Sequence, residues 1–119
     1  MNVKLPAAIS ECIRAINASD VEAIVSIFAA DAYVNDNRRE IVGLAAIRGW
    51  LMKEIIGARV TVQVRRVREH YGQFIVDAVY DGTFDKTNLP SQLVLTNYFR
   101  VVDDKIVHLT ILFNQPAPY

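Results

Sequence analysis

The sequence has 119 residues, of which 52% are hydrophobic and 22% charged, a balance that argues against disorder and suits one globular domain over residues 1–119. Thirteen basic residues offset thirteen acidic ones, so the chain has no general electrostatic reason to bind nucleic acid. No stretch resembles a signal peptide or the roughly 20 apolar residues of a membrane span. We therefore expect a cytoplasmic protein that binds neither nucleic acid nor membrane.

Three helices are predicted in the N-terminal half. The first carries an apolar stripe at helical spacing, formed by Ile9, Cys12, Ile13 and Ile16. Residues 19–22 are typical of a capping box, with Ser19 capping a second helix that ends near Ala30. Gly43 opens a third helix over residues 44–56, and Gly57 ends it.

From Arg59 onward the apolar period changes from 3.6 to 2, which predicts strands. Residues 93–102 and 105–113 form two long strands joined by a tight turn, and a shorter pair precedes them. One strand of the earlier pair carries three close arginines, Arg65, Arg66 and Arg68. They are interpreted as the solvated side of that strand, with a small polyanion site as the alternative. The order of elements predicts an α+β domain, with three N-terminal helices packed on one face of a curved antiparallel sheet.

The later strands carry apolar residues on both faces. Val94, Tyr98 and Val102 oppose a face that contains Leu95 and Phe99. Because helices cover only one face of such a sheet, the outer face predicts a homodimer. The alternative is a half-apolar face in contact with solvent.

The whole chain resembles the nuclear transport factor 2-like superfamily, and most of all its SnoaL-like and ketosteroid-isomerase-like members. The resemblance rests on "INASDVEAIVSIFAADA", "GLAAIRGWL" and "NYFRVVDDKIVHLTILF". It implies a cone-shaped curved sheet wrapped around the helices, a pocket between them and commonly a dimer. The superfamily hosts isomerases, cyclases, dehydratases, epoxide hydrolases and proteins without chemistry, so the fold alone does not select an activity.

The resemblance also implies site residues. Ketosteroid isomerases have "VED" where this chain has "VND", which places their general base at Asp36. Their proton-donating Asp falls at Asn97, and the Tyr of their oxyanion hole falls at Cys12. This chain therefore keeps the base as Asp36, has an amide, Asn97, in place of the first donor, and lacks the second donor at Cys12.

Asp36 and Asn97 are also singled out by the strand period. Asp36 shares a face with Val34, where an apolar cleft would make it a better base than in water. The alternative is that Asp36 caps the turn at Asn37-Arg38 or pairs with Arg38 or Arg39. Asn97 shares its face with apolar residues and needs a partner. That partner is either a substrate oxygen or, as the alternative, a backbone carbonyl or the third helix.

Other residues of these faces are candidate walls of the pocket, although each is also explained by core packing. They are Cys12, Trp50, Phe74, Val76, Tyr80, Leu95, Phe99, Leu109, Ile111 and Phe113. The opposite face of the last strand is predicted to carry Ile106 and His108 outward, and His70 lies at an exposed turn. The two histidines lie far apart, so no metal site is expected.

The predicted ligand is a compact apolar molecule that carries a carbonyl or hydroxyl. In an enzyme, Asp36 would take a proton next to a carbonyl, while Asn97 and Tyr80 would hold the enolate-like oxygen. No cofactor is expected, since no phosphate-binding glycine motif occurs. The alternative is a non-catalytic ligand-binding or dimerisation module of the same fold.

Overall fold

Residues 4–113 are described by the structure, which is a computed structural model. They contain α1 (Ala7–Asn17), α2 (Val21–Ile27), β1 (Phe28–Asp36), β2 (Arg39–Val42), α3 (Leu44–Trp50), a π-helical segment (Leu51–Ile56), β3 (Thr61–His70), β4 (Gln73–Asp81), β5 (Leu93–Val102) and β6 (Lys105–Phe113). The predicted α+β class is confirmed, and α3 together with the π-helical segment covers the span predicted for the third helix.

The strands form one sheet in the order β2-β1-β6-β5-β4-β3. Every neighbouring pair is antiparallel except β1 and β6, which run parallel. Through this parallel pairing, β1, which belongs to the helical half of the chain, joins the sheet beside β6. One consequence matters for the site: Asp36 lies opposite Ile111 in β1–β6, and Ile111 lies opposite Asn97 in β5–β6. The two candidate polar residues therefore share one row across the sheet.

The helix junction corrects the predicted capping box. Ser19 has a left-handed backbone (φ 54°) that closes α1, so the cap of α2 moves one residue along the chain. Asp20 is that cap, and its carboxylate accepts from the Ala23 amide at 3.1 Å. Glu22 does not reach back to the cap because it forms an ion pair with Arg48 of α3, at 2.6 Å.

The predicted end of α2 near Ala30 is wrong by one short turn. The helix ends at Ile27, and Phe28 is already extended (φ −84°, ψ 144°) and paired with Ile106. Sheet pairing satisfies the backbone groups that three more helical residues would have satisfied, so the chain leaves the helix early.

The predicted outward orientation of Ile106 is also wrong. Arg100 pairs with His108 while Val101 pairs with Ile106, which leaves Val107 as an extra residue in β6. A bulge of this kind reverses the alternation of side chains on the bulged strand. Ile106 is consequently fully buried in the core, whereas His108 keeps the predicted outer position.

The core lies between the helices and the inner face of the sheet. Helix α1 packs against β3, β5 and β6, and α3 packs against β1 and β2. The largest fully buried side chains come from both layers: Ile9, Cys12, Ile24, Ile47, Leu51, Val34, Val76 and Ile106. Within residues 4–113, no helix has the length and apolar character needed to cross a membrane.

Candidate functional site

Asp36 ends β1 at a two-residue hairpin turn. Asn37 and Arg38 both have positive φ (50° and 80°), which is the geometry of a type I′ turn and pairs Asp36 directly with Arg39. The Arg39 guanidinium donates to Asp36 Oδ2 at 2.6 Å. The predicted alternative of a pair with Arg39 is therefore present, and the turn type is its cause.

Asp36 also faces the helical layer. The indole N–H of Trp50, at the end of α3, donates to the same Oδ2 at 3.0 Å. Trp50 is 7% exposed, and the Asp36 side chain is 21% exposed. The carboxylate thus lies at the rim between sheet and helices, half-buried and fixed through one of its two oxygens.

Arg39 joins a second carboxylate to this rim. It donates to Glu54 at 2.8 and 2.7 Å through its two terminal nitrogens. These hydrogen bonds lower the pKa of Glu54 below its usual range, against the smaller opposing effect of burial. Asp36, Arg39 and Glu54 form a cluster that we call the rim cluster, with one cation between two carboxylates.

Asn97 lies deeper, in the middle of β5, and is 3% exposed. Its NH₂ group donates to the backbone carbonyl of Val76 at 3.2 Å and lies 3.4 Å from that of Leu95. Its oxygen accepts from the Tyr80 hydroxyl at 2.5 Å. Of the two predicted roles for Asn97, the bond to a backbone carbonyl is the one that the structure contains.

The Tyr80 hydroxyl is buried beside Asn97. Burial is the main cause that raises the pKa of Tyr80 above its usual value, and the hydrogen bond to Asn97 acts in the opposite direction. The hydroxyl therefore stays protonated at neutral pH and donates its hydrogen to Asn97.

Two adjoining spaces lie between the helices and the sheet. The inner cavity has a volume of about 20 Å³, close to the space that one water needs, so the cone interior beside Asn97 is nearly filled. The outer chamber has a volume of about 200 Å³ and opens at the rim. Five residues belong to both walls and make the spaces adjacent: Trp50, Ile55, Val60, Tyr80 and Ile111.

The predicted site residues divide between these spaces. The inner cavity is lined by Cys12, Trp50, Val76, Tyr80, Asn97, Phe99, Leu109 and Ile111, together with other apolar residues. The outer chamber contains Asp36 and Leu95, and Phe113 lines a wider groove of about 540 Å³ beside it. Phe74 lines none of these spaces and packs against the core instead. Asp36 and Asn97 are separated by one strand, a distance of roughly 10 Å, with Ile111 between them.

Three wall residues are additional to the candidate walls predicted from the sequence. Phe84, Leu89 and Leu93 close one side of the outer chamber, and all lie in or next to the loop between β4 and β5, residues 82–92, which we call the mouth loop. Glu54 was also missed, although its spacing of four residues from Trp50 places both on one helical face.

Cys12 and the histidines add no chemistry of their own. Burial raises the pKa of the Cys12 thiol to about 12, so it is not a thiolate at neutral pH. His108 packs against the Tyr33 ring on the outer face, at 5.1 Å between centroids, and His70 is exposed. Among the described residues, no three His, Cys, Asp or Glu side chains are grouped so that they could hold a metal ion.

Comparisons with known proteins agree with this architecture. The family model of the SnoaL-like domain matches residues 9–109. A putative polyketide cyclase from Sinorhizobium meliloti is 26% identical over 90% of this chain and 94% of its own, with a TM-score of 0.80. The comparison with curated proteins found no match.

Two further solved structures share the fold at lower identity. A Catenulispora acidiphila protein with a ketosteroid isomerase-like fold, in complex with trimethylamine, is 18% identical over 93% of this chain and 88% of its own (TM-score 0.78). A Mycobacterium tuberculosis protein in complex with estradiol-17beta-hemisuccinate is 20% identical over 93% and 95% of the two chains (TM-score 0.77).

Proposed function

Because this chain belongs to the SnoaL-like domain family, we propose that it binds a compact, largely apolar small molecule in the outer chamber. The observation that carries this proposal is the chamber itself, about 200 Å³ in volume, with apolar walls and Asp36 at its edge. Ligand sites are typically concave, mostly apolar and equipped with a few placed polar groups. The small molecules bound in two proteins of the same fold support the same role.

The second part of the proposal is that Asp36 acts as a general base. Both recorded hydrogen bonds of this carboxylate use Oδ2. Among residues 4–113, no buried side-chain oxygen lacks a partner, so the unpaired Oδ1 is exposed to solvent, and Asp36 lines the outer chamber. An accessible, oriented carboxylate oxygen is what proton abstraction requires. The reaction class is an isomerisation, cyclisation or dehydration, and the similar putative polyketide cyclase supports the second of these.

The proposal changes the part played by Asn97. Its N–H groups are directed at backbone carbonyls, so it does not offer them to an enolate-like oxygen. Asn97 instead positions Tyr80, whose ring lines both spaces. The alternative from another class is a non-catalytic module that binds a ligand in the same chamber without turning it over.

A thermal-shift screen of fused-ring ketones and alcohols, followed by turnover assays, tests both parts. The matched pair is Asp36→Asn and Asp31→Asn, since Asp31 is an exposed carboxylate on the same strand. We expect ligands to raise Tm in all three proteins, and turnover to fall about 100-fold or more in Asp36→Asn alone. A screen without any shift would reject the binding site. Binding without turnover in the wild type would favour the module, and equal turnover in Asp36→Asn would reject the base.

We also infer a homodimer through the outer face of the sheet. The half-buried apolar side chains Ile75, Val79, Val94 and Leu112 lie on that face, away from the helices. Sedimentation velocity on Val94→Arg, with the exposed Val42→Arg as control, tests it. We expect a dimer that Val94→Arg alone dissociates; a monomeric wild type would reject the inference.

A further inference from the structure

The strong hydrogen-bond donors around the two spaces are already used by the protein. Trp50, Tyr80 and Asn97 supply these donors. The indole N–H is bonded to Asp36, the phenol O–H to Asn97, and the amide N–H groups are directed at backbone carbonyls. The Cys12 thiol in the inner cavity is only a weak donor.

The direction of the bond between Tyr80 and Asn97 is fixed by the backbone. If the Asn97 amide were reversed, its oxygen would lie 3.2 Å from the carbonyl oxygen of Val76, and two acceptors would face each other. The amide oxygen therefore points to Tyr80, and Tyr80 must donate its single hydrogen to it. The remaining lone pair of the Tyr80 oxygen can only accept.

The other polar atoms on the chamber wall are acceptors as well. Asp36 Oδ1 is unpaired, and Glu54 is a second carboxylate on the same wall. Arg39, the cation of the rim cluster, is 56% exposed and lines the wider groove rather than the chamber. Among the side chains of the chamber wall, an incoming carbonyl or carboxylate would therefore find no free strong donor to replace its bonds to water.

We propose that the ligand of this chamber presents a hydrogen-bond donor, a hydroxyl or an amine, to Asp36 Oδ1 or to the Tyr80 oxygen. This inference rests on the proposed function, and among apolar molecules that carry one polar group it favours alcohols, phenols and amines over ketones. The inner cavity, which Tyr80 lines, has a volume of about 20 Å³ and so has room for one hydroxyl or amine group. The apolar body of the ligand would occupy the outer chamber. Carboxylate ligands are disfavoured because the ionisable residues of the chamber wall are acidic.

Three matched probes test the inference: decalol, decalone and the methyl ether of decalol. They share one fused two-ring skeleton and carry a donor, an acceptor and a capped oxygen, respectively. Trp50 is the single tryptophan of the chain and lies in the chamber wall, so its fluorescence reports binding. We expect the Kd of decalol to be about tenfold below that of decalone or the ether, because the donor gains a hydrogen bond that the others lack.

Variants identify the acceptor. Tyr80→Phe and Asp36→Leu each remove one acceptor, and we expect one of them to bring the ratio of decalone to decalol Kd close to one. Tyr98→Phe, on the outer face, is the matched control and should keep the ratio. Equal or tighter binding of decalone overturns the inference, as does a tenfold ratio that survives both substitutions. If a variant fails to fold, the wild-type ratio still decides. If none of the probes binds, the proposed function falls as well.

Discussion

Trp50 donates its indole N–H to Asp36 across 3.0 Å, and this bond joins the end of α3 to the end of β1. Arg39, from β2, donates to the same oxygen. The two oxygens of Asp36 therefore differ: Oδ2 links the helical layer to the hairpin, whereas Oδ1 has no hydrogen-bond partner among the described residues and is the atom that we propose as the base. The rigid hold on Oδ2 fixes the direction in which Oδ1 points, which is the kind of preorganisation that a base needs.

A double-mutant cycle measures the bond between these two residues. Trp50→Phe and Asp36→Ala each lower the free energy of unfolding, and we expect a coupling of about 1.5–3 kcal/mol because the hydrogen bond involves a charged group. Urea unfolding at neutral pH gives the four values. Additivity within about 0.5 kcal/mol would show that the two side chains do not depend on each other.

A second cycle concerns the buried pair of Tyr80 and Asn97. Asn97→Leu leaves the Tyr80 hydroxyl buried without an acceptor, so we expect a loss of about 1–3 kcal/mol in the free energy of unfolding. Adding Tyr80→Phe removes the orphaned hydroxyl and should recover most of that loss, because two apolar groups of similar shape replace the bonded pair. A double variant as unstable as the sum of the single ones would contradict the assigned bond.

The sequence predicts most of the fold because its signals there are local. The bounds of β5 and β6 follow from a period of two that ends at turn residues, and the structure has the same bounds. Ile106 escaped prediction because a bulge depends on the pairing of two strands, and the pattern of one strand does not contain it. The early end of α2 has the same origin, since Phe28 pairs with Ile106 of β6, which lies far along the chain.

The candidate site is predicted less completely, for a related reason. Asp36 was left with two alternatives, a base in an apolar cleft or a partner of Arg39. The structure contains the Arg39 pair and places Asp36 in the wall of the outer chamber, and its role as a base stays a prediction. The Glu54 contact joins residues 15 positions apart across the rim, so only the assembled layers bring it about. Asn97 was correctly expected to be buried, but the direction of its amide depends on the carbonyl of the neighbouring strand.

The outer face carries a pair whose stability depends on pH. Arg68 donates to Asp77 at 2.8 Å, and this bond is the main cause that lowers the pKa of the Asp77 carboxyl. A pKa lowered by folding adds stability that is complete above the unfolded value, about 3.9, and is lost as the pH falls through the folded value. We expect urea unfolding between about pH 6 and pH 3 to show a shallower loss of stability in Asp77→Asn than in the wild type.

Arg68→Gln is the matched variant for this prediction, because it keeps the carboxylate and removes the main cause of its lowered pKa. It should flatten the pH dependence in the same direction as Asp77→Asn. If either variant kept the wild-type slope, the ion pair would contribute no measurable stability, as many exposed pairs do.

The mouth loop contacts the turn before β3 at Gly82 and Thr83, both of which lie close to Ala58. The Thr83 amide donates to the Ala58 carbonyl at 2.7 Å, and a Cβ built on Gly82 would lie only 2.6 Å from that same oxygen. Gly82→Ala must therefore displace the loop that carries Phe84 over the chamber. We expect faster hydrogen exchange at the Thr83 amide and, because the wall opens, weaker binding of decalol.

Gly49→Ala is the control for this substitution. Gly49 lies on the exposed side of α3 with nothing within 4 Å of an added Cβ, so alanine there should raise the free energy of unfolding by about 0.5–1 kcal/mol. Hydrogen exchange in the mouth loop and decalol affinity should both stay at the wild-type level in that variant. Because the two substitutions add the same methyl group, a difference between them reports the close approach of Gly82 to Ala58. Unchanged exchange at Thr83 in Gly82→Ala would mean that the loop is not held by this contact.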